Sequence, residues 1–309
     1  MTAADPQELL ALADATATAA ATLLAEEGAQ QRPEVAATKS SLTDVVTEMD
    51  RRAEQLIRDR ILAARPGDTI LGEEGGETPG TGPGVRWIVD PLDGTVNYLY
   101  GLADWSVSIA AEVAGTVVAG VVAVPLHGET YLAVRGQGAT VRTSSGQTTV
   151  AGRADRAALR CNEGVPLAQA LVGTGFGYLP ARRRVQGEVV SALLPRIRDI
   201  RRGGSAAVDL CSVAAGRLDA FYERGLNPWD YSAGGLIAAE AGAHVTGLGG
   251  RPASPSFTVA AGPGLYEELA GALAALDPER DADAGAVAPA DALKGPPRPG
   301  DPSSGKLTG

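Results

Sequence analysis

Lysine is almost missing from this chain: Lys39, Lys294 and Lys306 are the only ones in 309 residues. With a formal net charge of −10, there is no lysine-rich face to grip a phosphodiester backbone, so direct nucleic-acid binding is not expected. Histidine occurs only as His127, in an expected hairpin turn, and His244, in an edge-strand pattern. Neither is placed as a general base, and two histidines cannot build a histidine-rich metal cluster. Cys161 and Cys211 are the only cysteines. They allow one disulfide at most and no Cys-x-x-Cys pair. Gly-x-Ser-x-Gly, Walker-type and Gly-x-Gly-x-x-Gly patterns are all absent, which excludes the serine-hydrolase elbow and the common nucleotide-binding loops. The N-terminus has no basic start leading into an apolar segment, so no secretory signal is expected. Apolar runs are short or broken by glycine and charge, so no membrane span is expected either. These absences lead us to expect a cytoplasmic protein.

What is present is an ordinary globular composition, 44% hydrophobic and 21% charged, long enough for one large or two modest domains. Pro6 to Gly28 reads as an Ala- and Leu-rich helix stopped by glycine. A loop through Pro33, Lys39, Ser40 and Ser41 follows. A second helix starts near Thr43 or Thr47 and runs to Ala64, with Val46, Met49, Ala53, Leu56, Ile57 and Leu62 at helical spacing. Thr69-Ile70-Leu71 is a short strand, and a flexible Gly/Pro/Thr segment runs on to Gly84. Trp105–Glu112, Val117–Val124 and Thr130–Val134 read as an antiparallel meander. Residues 141–156 carry little pattern. Strands are expected at Ala168–Thr174, around Ile200, at Leu218–Glu223 and at Phe257–Ala261. Helices are expected at Arg182–Leu194, Ser205–Ala215, Trp229–Ala241 and Leu265–Leu276. From residue 277 to 309 the chain turns to Ala, Asp, Pro and Gly without periodicity, which predicts a disordered tail. The rest, residues 1–276, is expected to be one domain with an N-terminal part to about residue 150 and a C-terminal part from 151. The mixed order of helices and strands points to a layered α/β protein with parallel and antiparallel pairs.

The chemistry concentrates in Trp87-Ile88-Val89-Asp90-Pro91-Leu92-Asp93-Gly94-Thr95. A buried strand is expected to end there, because Pro91 cannot donate to a ladder and Gly94 permits a turn. That leaves two crowded carboxylates, Asp90 and Asp93, beside the free N–H groups of Gly94 and Thr95. Crowded carboxylates call for a cation, and free N–H groups suit an anion such as phosphate. An EF-hand loop does not fit, since Leu92, Gly94 and Gly101 fall where its acidic ligands belong. Glu73-Glu74 follows a strand, and Asp50 and Asp230 sit at helix starts. Taken singly, Asp50 and Asp230 also read as helix caps, Thr47-x-x-Asp50 as a capping box. Arg182-Arg183-Arg184 reads as a solvated helix start or as a contact for a second phosphate.

The stretch from Trp87 to Thr95 resembles the first signature of the inositol monophosphatase family. Trp229-Asp230-Tyr231-Ser232-Ala233-Gly234, leading to Glu240-Ala241-Gly242-Ala243, resembles the second. Gly72-Glu73-Glu74 and Asp44-Val45-Val46-Thr47-Glu48-Met49-Asp50 resemble the two elements upstream. All four stand in the family's order, and the likeness runs over residues 8–275. Val96 stands where the histidinol-phosphatase branch more often has lysine, so the likeness is closer to bacterial inositol-1-phosphatases. The resemblance implies an αβαβα sandwich of the sugar-phosphatase type, a homodimer, and Mg²⁺ as cofactor, about two to three ions. By the same resemblance Glu73, Asp90, the Leu92 carbonyl, Asp93 and Asp230 hold metal. Asp50, Glu73 and Thr95 serve catalysis, with Asp50 and Thr95 polarising water. Gly94 and Thr95 hold phosphate, and Asp93, Ser205, Ala206, Glu223 and Asp230 contact substrate. The implied substrate is a small phosphomonoester, myo-inositol 1-phosphate first, with Li⁺ as an inhibitor. Histidinol phosphate, fructose 1,6-bisphosphate and 3′-phosphonucleotides are alternatives on the same metal core. A reading of another class is a regulatory partner in RNA processing.

Overall fold

The computed structural model describes residues 4–30, 35–38, 45–81, 84–143 and 156–280. The chain opens with α1 (Pro6–Gln30), the strand pair β1 (Val35–Thr38) and β2 (Val45–Thr47), and α2 (Glu48–Ala64). It continues through β3 (Thr69–Gly72), β4 (Gly76–Thr78), β5 (Arg86–Asp93), the short α3 (Thr95–Tyr100), β6 (Ser106–Val113), β7 (Thr116–Val124), β8 (Glu129–Val134), β9 (Ala139–Thr143) and β10 (Arg156–Ala158). The second half runs β11 (Leu171–Thr174), α4 (Pro180–Leu193), β12 (Asp199–Arg201), α5 (Ala206–Ala214), β13 (Ala220–Glu223), α6 (Pro228–Glu240), β14 (His244–Thr246), β15 (Thr258–Ala261) and α7 (Leu265–Ala274).

Besides the two-stranded β1–β2 pair, two larger sheets organise the described elements. One has eight strands in the order β10-β9-β8-β7-β6-β5-β3-β4, the other five in the order β12-β11-β13-β15-β14. The expected meander is β6, β7 and β8, paired antiparallel, while β3–β5, β11–β12 and β11–β13 are parallel. Side chains alternate across a strand, so the large sheet buries two faces. Trp87, Val89, Val107, Ile109, Val121 and Ala123 face α1 and α2, packing with Leu9, Ala13, Leu24, Ile57 and Ile61. Ile88, Ala110, Val122 and Val124 face the other way, onto α5 and α6, in a core that also holds Phe221 and Ala260 of the small sheet. The outer face of the small sheet is covered by α4 and α7 through Val185, Val189, Leu265 and Leu269. The layers are therefore α1/α2, large sheet, α5/α6, small sheet, α4/α7: the αβαβα order. The small residues of α6 have a purpose here, because a Cβ on Gly120 of β7 would lie 3.1 Å from the Ala233 backbone.

The structure departs from the sequence reading in several places. Strand β5 does not stop at Asp90. It pairs Asp90 with Ser108, shifts register, and pairs Asp93 with Ser106. The irregularity accommodates Pro91, and it lets two acids three residues apart line one cavity rather than opposite faces. Part of the Gly/Pro/Thr segment is strand β4, held to α2 by Arg58, which donates to Thr78 Oγ1 and Gly76 O at 2.8 and 2.7 Å. The strand expected from Ala168 begins at Leu171, after a helical turn at Leu167–Gln169. By length and composition, Pro6–Gly28 of α1 would pass for a membrane span, contrary to expectation. In the fold it is a covering helix whose buried stripe, Leu9, Ala13, Ala17, Ala20 and Leu24, seats on the large sheet. Cys161 and Cys211 are buried and unpaired. The described chain continues past 276 to Arg280, and the rest of the expected tail lies outside the described residues, as do Lys39–Ser41, Asp44 and most of the unpatterned 141–156 segment.

Candidate active site

Asp50 begins as a local motif. Thr47 Oγ1 accepts from the N–H groups of Met49 and Asp50 at 3.1 and 3.3 Å, and Asp50 Oδ2 accepts from Thr47 N and Oγ1 at 2.7 and 2.5 Å. This is the capping box at the start of α2. The other oxygen, Asp50 Oδ1, accepts from Thr95 Oγ1 at 3.0 Å, across 45 residues of sequence. Both readings of Asp50 thus hold at once, and the box fixes a carboxylate that is fully buried. The Thr95 hydroxyl also lies 3.1 Å from the Leu92 carbonyl. Its single proton serves these two acceptors, which leaves oxygen lone pairs to accept a proton from water.

Glu73 stands on the turn after β3, where Glu54 of α2 holds the backbone. Glu54 is 3% exposed and accepts from Glu74 N at 2.7 Å, Gly75 N at 2.8 Å and Arg58 Nε at 2.8 Å. A Cβ at Gly72 would lie 2.5 Å from Glu54 Oε1, so only glycine lets the turn come this close. Sequence reasoning missed Glu54. Its signal was present: an acid in helical phase with Ile57 and Ile61 sits on the apolar face of α2.

Asp93 ties the two halves of the chain together. Its Oδ2 accepts from Ser205 Oγ at 2.5 Å and from Ala207 N at 2.8 Å. It thereby caps α5, with Ser205 itself accepting from Val208 N at 3.2 Å. Ser205 is 1% exposed and lies behind Asp93, whereas Ala206 lines the cavity. Asp230 Oδ2 accepts from Asn227 N at 2.6 Å at the start of α6.

These acids meet in a cavity of 410 Å³, which Glu73, Asp90, Leu92, Asp93, Gly94, Thr95 and Asp230 line together with Ala206 and Glu223. Asp50 lies just behind it, reaching it through Thr95. Burial pushes the Asp90 carboxyl well up, and the charges of Glu73, Asp93 and Asp230 push it further. Burial and then Glu73 and Asp93 do the same to Asp230. Burial raises Asp93 to about 6, even though Ser205, the α5 backbone and Arg202 pull it down. Four carboxylates this close must take up protons or a cation. All the donor atoms are oxygens, on carboxylates and the Leu92 carbonyl, and that set suits a hard divalent cation. Among the described residues, no three acidic, histidine or cysteine side chains already close around one point as a coordination shell. One oxygen each of Asp90, Asp93 and Asp230 is engaged by a protein donor, and the charge excess, not a preformed shell, is what fits a metal.

The remaining wall comes from the small sheet. Glu223 ends β13, and burial pushes it up to about 8, with Arg202 drawing it down and Asp93 pushing it up. A Cβ on Gly175 would overlap the Glu223 carboxylate, so glycine there is a condition for the acid's position. Arg182 and Arg202 also line the cavity. Of the arginine cluster, Arg182 turns inward, while Arg183 and Arg184 are exposed, as a solvated helix start would be. Arg202 and the buried Asp209, whose carboxyl is raised by burial and then by Glu223 and Asp93, were not anticipated. No spacing rule links them to the acids they sit among.

A model of the inositol monophosphatase family matches residues 5–280. The chain is 48% identical over 240 residues to the inositol-1-monophosphatase SuhB of Mycobacterium tuberculosis (strain ATCC 25618 / H37Rv), covering 76% of this chain and 80% of that protein. It is 38% identical over 217 residues to the Nus factor SuhB of Escherichia coli (strain K12), covering 70% and 76%. The solved structure of Mycobacterium tuberculosis SuhB superposes with a TM-score of 0.73 at 42% identity, over 90% of this chain and all of the other.

Proposed function

The chain belongs to the inositol monophosphatase family and is a phosphatase; from that premise we propose that it hydrolyses myo-inositol 1-phosphate with Mg²⁺ as cofactor. The observation that carries this reading is the Asp50–Thr95 hydrogen bond of 3.0 Å, set at the edge of the crowded acids. Glu73, Asp90, Asp93, Asp230 and the Leu92 carbonyl would hold the cation. When bound, it neutralises phosphate charge and lowers the pKa of coordinated water. The chain's own residues do the rest. Asp50 orients the Thr95 hydroxyl, and Thr95 Oγ1 accepts from the attacking water. The N–H groups of Gly94 and Thr95 face the phosphate oxygens. Gly94 is at φ +94°, and a Cβ there would lie 2.9 Å from the Asp104 carbonyl, so the turn that presents these groups requires glycine. Glu223 accepts from hydroxyls of the leaving alcohol, which favours a polyol over an apolar alcohol. Li⁺ is expected to inhibit by competing with the cation. A homodimer is proposed on family likeness alone and is checked by light scattering.

The test is phosphate release from a panel of inositol 1-phosphate, histidinol phosphate, fructose 1,6-bisphosphate and a 3′-phosphonucleotide, with Mg²⁺ and with chelator. Absence of release from every member sinks the enzyme reading. The Escherichia coli relative called a Nus factor supports a second reading, a regulatory partner in RNA processing. An Asp93→Asn protein separates the two, since partner binding should survive the loss of turnover.

A further inference from the structure

Gln186 of α4 is 8% exposed, and both ends of its amide are used. Its Oε1 accepts from Gly177 N at 3.0 Å, and its Nε2 donates to the Arg224 carbonyl at 3.3 Å. These two backbones belong to the two segments that line the alcohol side of the cavity: Gly175–Gly177 on one, Glu223 and Gly225 on the other. Arg224 is 6% exposed, and its Nη1 donates to the Pro278 carbonyl at 3.1 Å. The segment around Pro278 is in turn pinned on both sides, by Arg251 to Glu279 at 2.6 Å and by Arg280 to Glu188 of α4. The spacing of the two lining segments matters because Glu223 occupies the space a Cβ on Gly175 would need. A small slide of one segment against the other would crowd or swing the Glu223 carboxylate. The amide bridges a backbone N–H and a backbone C=O from two different atoms, whereas a carboxylate lacks the donor and an aliphatic side chain lacks both.

We propose that Gln186 is a positioning residue that sets the alcohol-side wall, with Arg224, anchored on the Pro278 carbonyl, as its support. It clamps the Gly175–Gly177 segment to the backbone after Glu223, and so governs selectivity for polyhydroxylated leaving groups without touching the phosphate. This rests on the reading of Glu223 as the acceptor of substrate hydroxyls.

The experiment compares wild type with Gln186→Leu on myo-inositol 1-phosphate and p-nitrophenyl phosphate, whose leaving group has no hydroxyl to offer Glu223. The ratio of the two kcat/KM values should fall about tenfold, carried by a higher KM for the inositol ester. In the same protein, amide exchange at Gly177 should quicken at least about tenfold, because its acceptor is gone. A ratio within about twofold of wild type overturns the proposal, as does an equal loss on both substrates, which is what a merely structural role would give. If wild type releases phosphate from neither ester, the inositol-phosphate reading fails, and Gly177 exchange alone decides the clamp: no acceleration overturns it. If Gln186→Leu does not fold by circular dichroism, Arg224→Met decides. It should move the ratio in the same direction by about threefold, and an unchanged ratio overturns the proposal.

Discussion

The two walls of the cavity are built in opposite ways. The acid wall is centred on β5, an inner strand of the eight-stranded sheet, and three of its carboxylates accept from a backbone N–H. Asp90 takes Leu92 N at 3.0 Å, Asp93 takes the start of α5, and Asp230 takes Asn227 N. Asp90 and Leu92 are each 1% exposed. The alcohol wall hangs from the end of a strand and from the connection between β11 and α4, and it depends on glycines and on one buried amide. The first arrangement cannot shift without breaking a sheet. The second can be retuned by changing a loop. Chemistry and selectivity are thus mounted on parts of different stiffness, and substitutions on the two walls should fail differently.

The largest effect is expected on the acid wall. Asp90→Asn should lower kcat/KM at least about a thousandfold on every phosphomonoester alike, because it removes a shared cation ligand. Phosphate release with saturating Mg²⁺ measures it, and a loss confined to one substrate would break the distinction between the walls. Thr95→Val should come next, lowering kcat about a hundredfold with KM little changed, since it removes an acceptor for the attacking water and not a substrate contact. Asp50→Asn should follow Thr95→Val, and the double variant should cost little more than either single, as members of one hydrogen-bonded unit do. Additive losses would show that Asp50 serves only the capping box.

On the alcohol wall, Glu223→Gln should lower kcat/KM for inositol 1-phosphate about twentyfold, mostly through KM, and p-nitrophenyl phosphate much less. Equal losses would mean that Glu223 belongs with the acid wall.

The same contrast explains what could be read in the sequence. The acid wall was legible because its residues crowd a few short stretches: two acids and Gly-Thr within six positions at the end of β5, Glu73 after a strand, Asp50 and Asp230 at helix starts. A strand end or helix start projects a side chain where local pattern says it will. Period-2 and helical-period stretches marked most elements correctly and pointed to a layered α/β protein, while the αβαβα order itself came from the family resemblance. The continuation of β5 through Pro91 was not legible, because a register shift is decided by the partner strand and not by local propensity. Of the alcohol wall, only Glu223, Ala206 and the Arg182 cluster were named beforehand, the first two through the family resemblance. Gln186, Arg202, Asp209 and Arg224 come from separate helices and loops, and they meet only through the packing of α4, α5 and the small sheet. Glu54 was a hidden residue with a local signal, and it was passed over because a helix tolerates an inward acid only when tertiary partners supply its donors.

The smallest expected effect is on stability, and it asks whether the alcohol wall holds a buried carboxyl at all. Glu223 is pushed up to about 8 from an ordinary value of 4.5, so below 4.5 it is protonated in both folded and unfolded chains and contributes no difference. Between 4.5 and 8 the folded chain keeps a proton that the unfolded chain has lost, and stability therefore falls as pH rises through that window. Above 8 both states are ionised and the loss is complete. Glu223→Gln removes this penalty. In chelated protein, its advantage over wild type should be near zero at pH 4.5, grow to about 1 kcal/mol by pH 8, and then level off, the modest size reflecting a cavity that water enters. Asp209 and Asp230, whose carboxyls the Glu223 charge helps to raise, relax with it, so the difference between the two curves reads Glu223 together with that coupling. Urea titrations across the pH range read it. A difference that stays flat or shrinks between pH 4.5 and pH 8 would place the Glu223 carboxylate in a solvated setting and would remove the reason the Gln186 clamp needs to hold it.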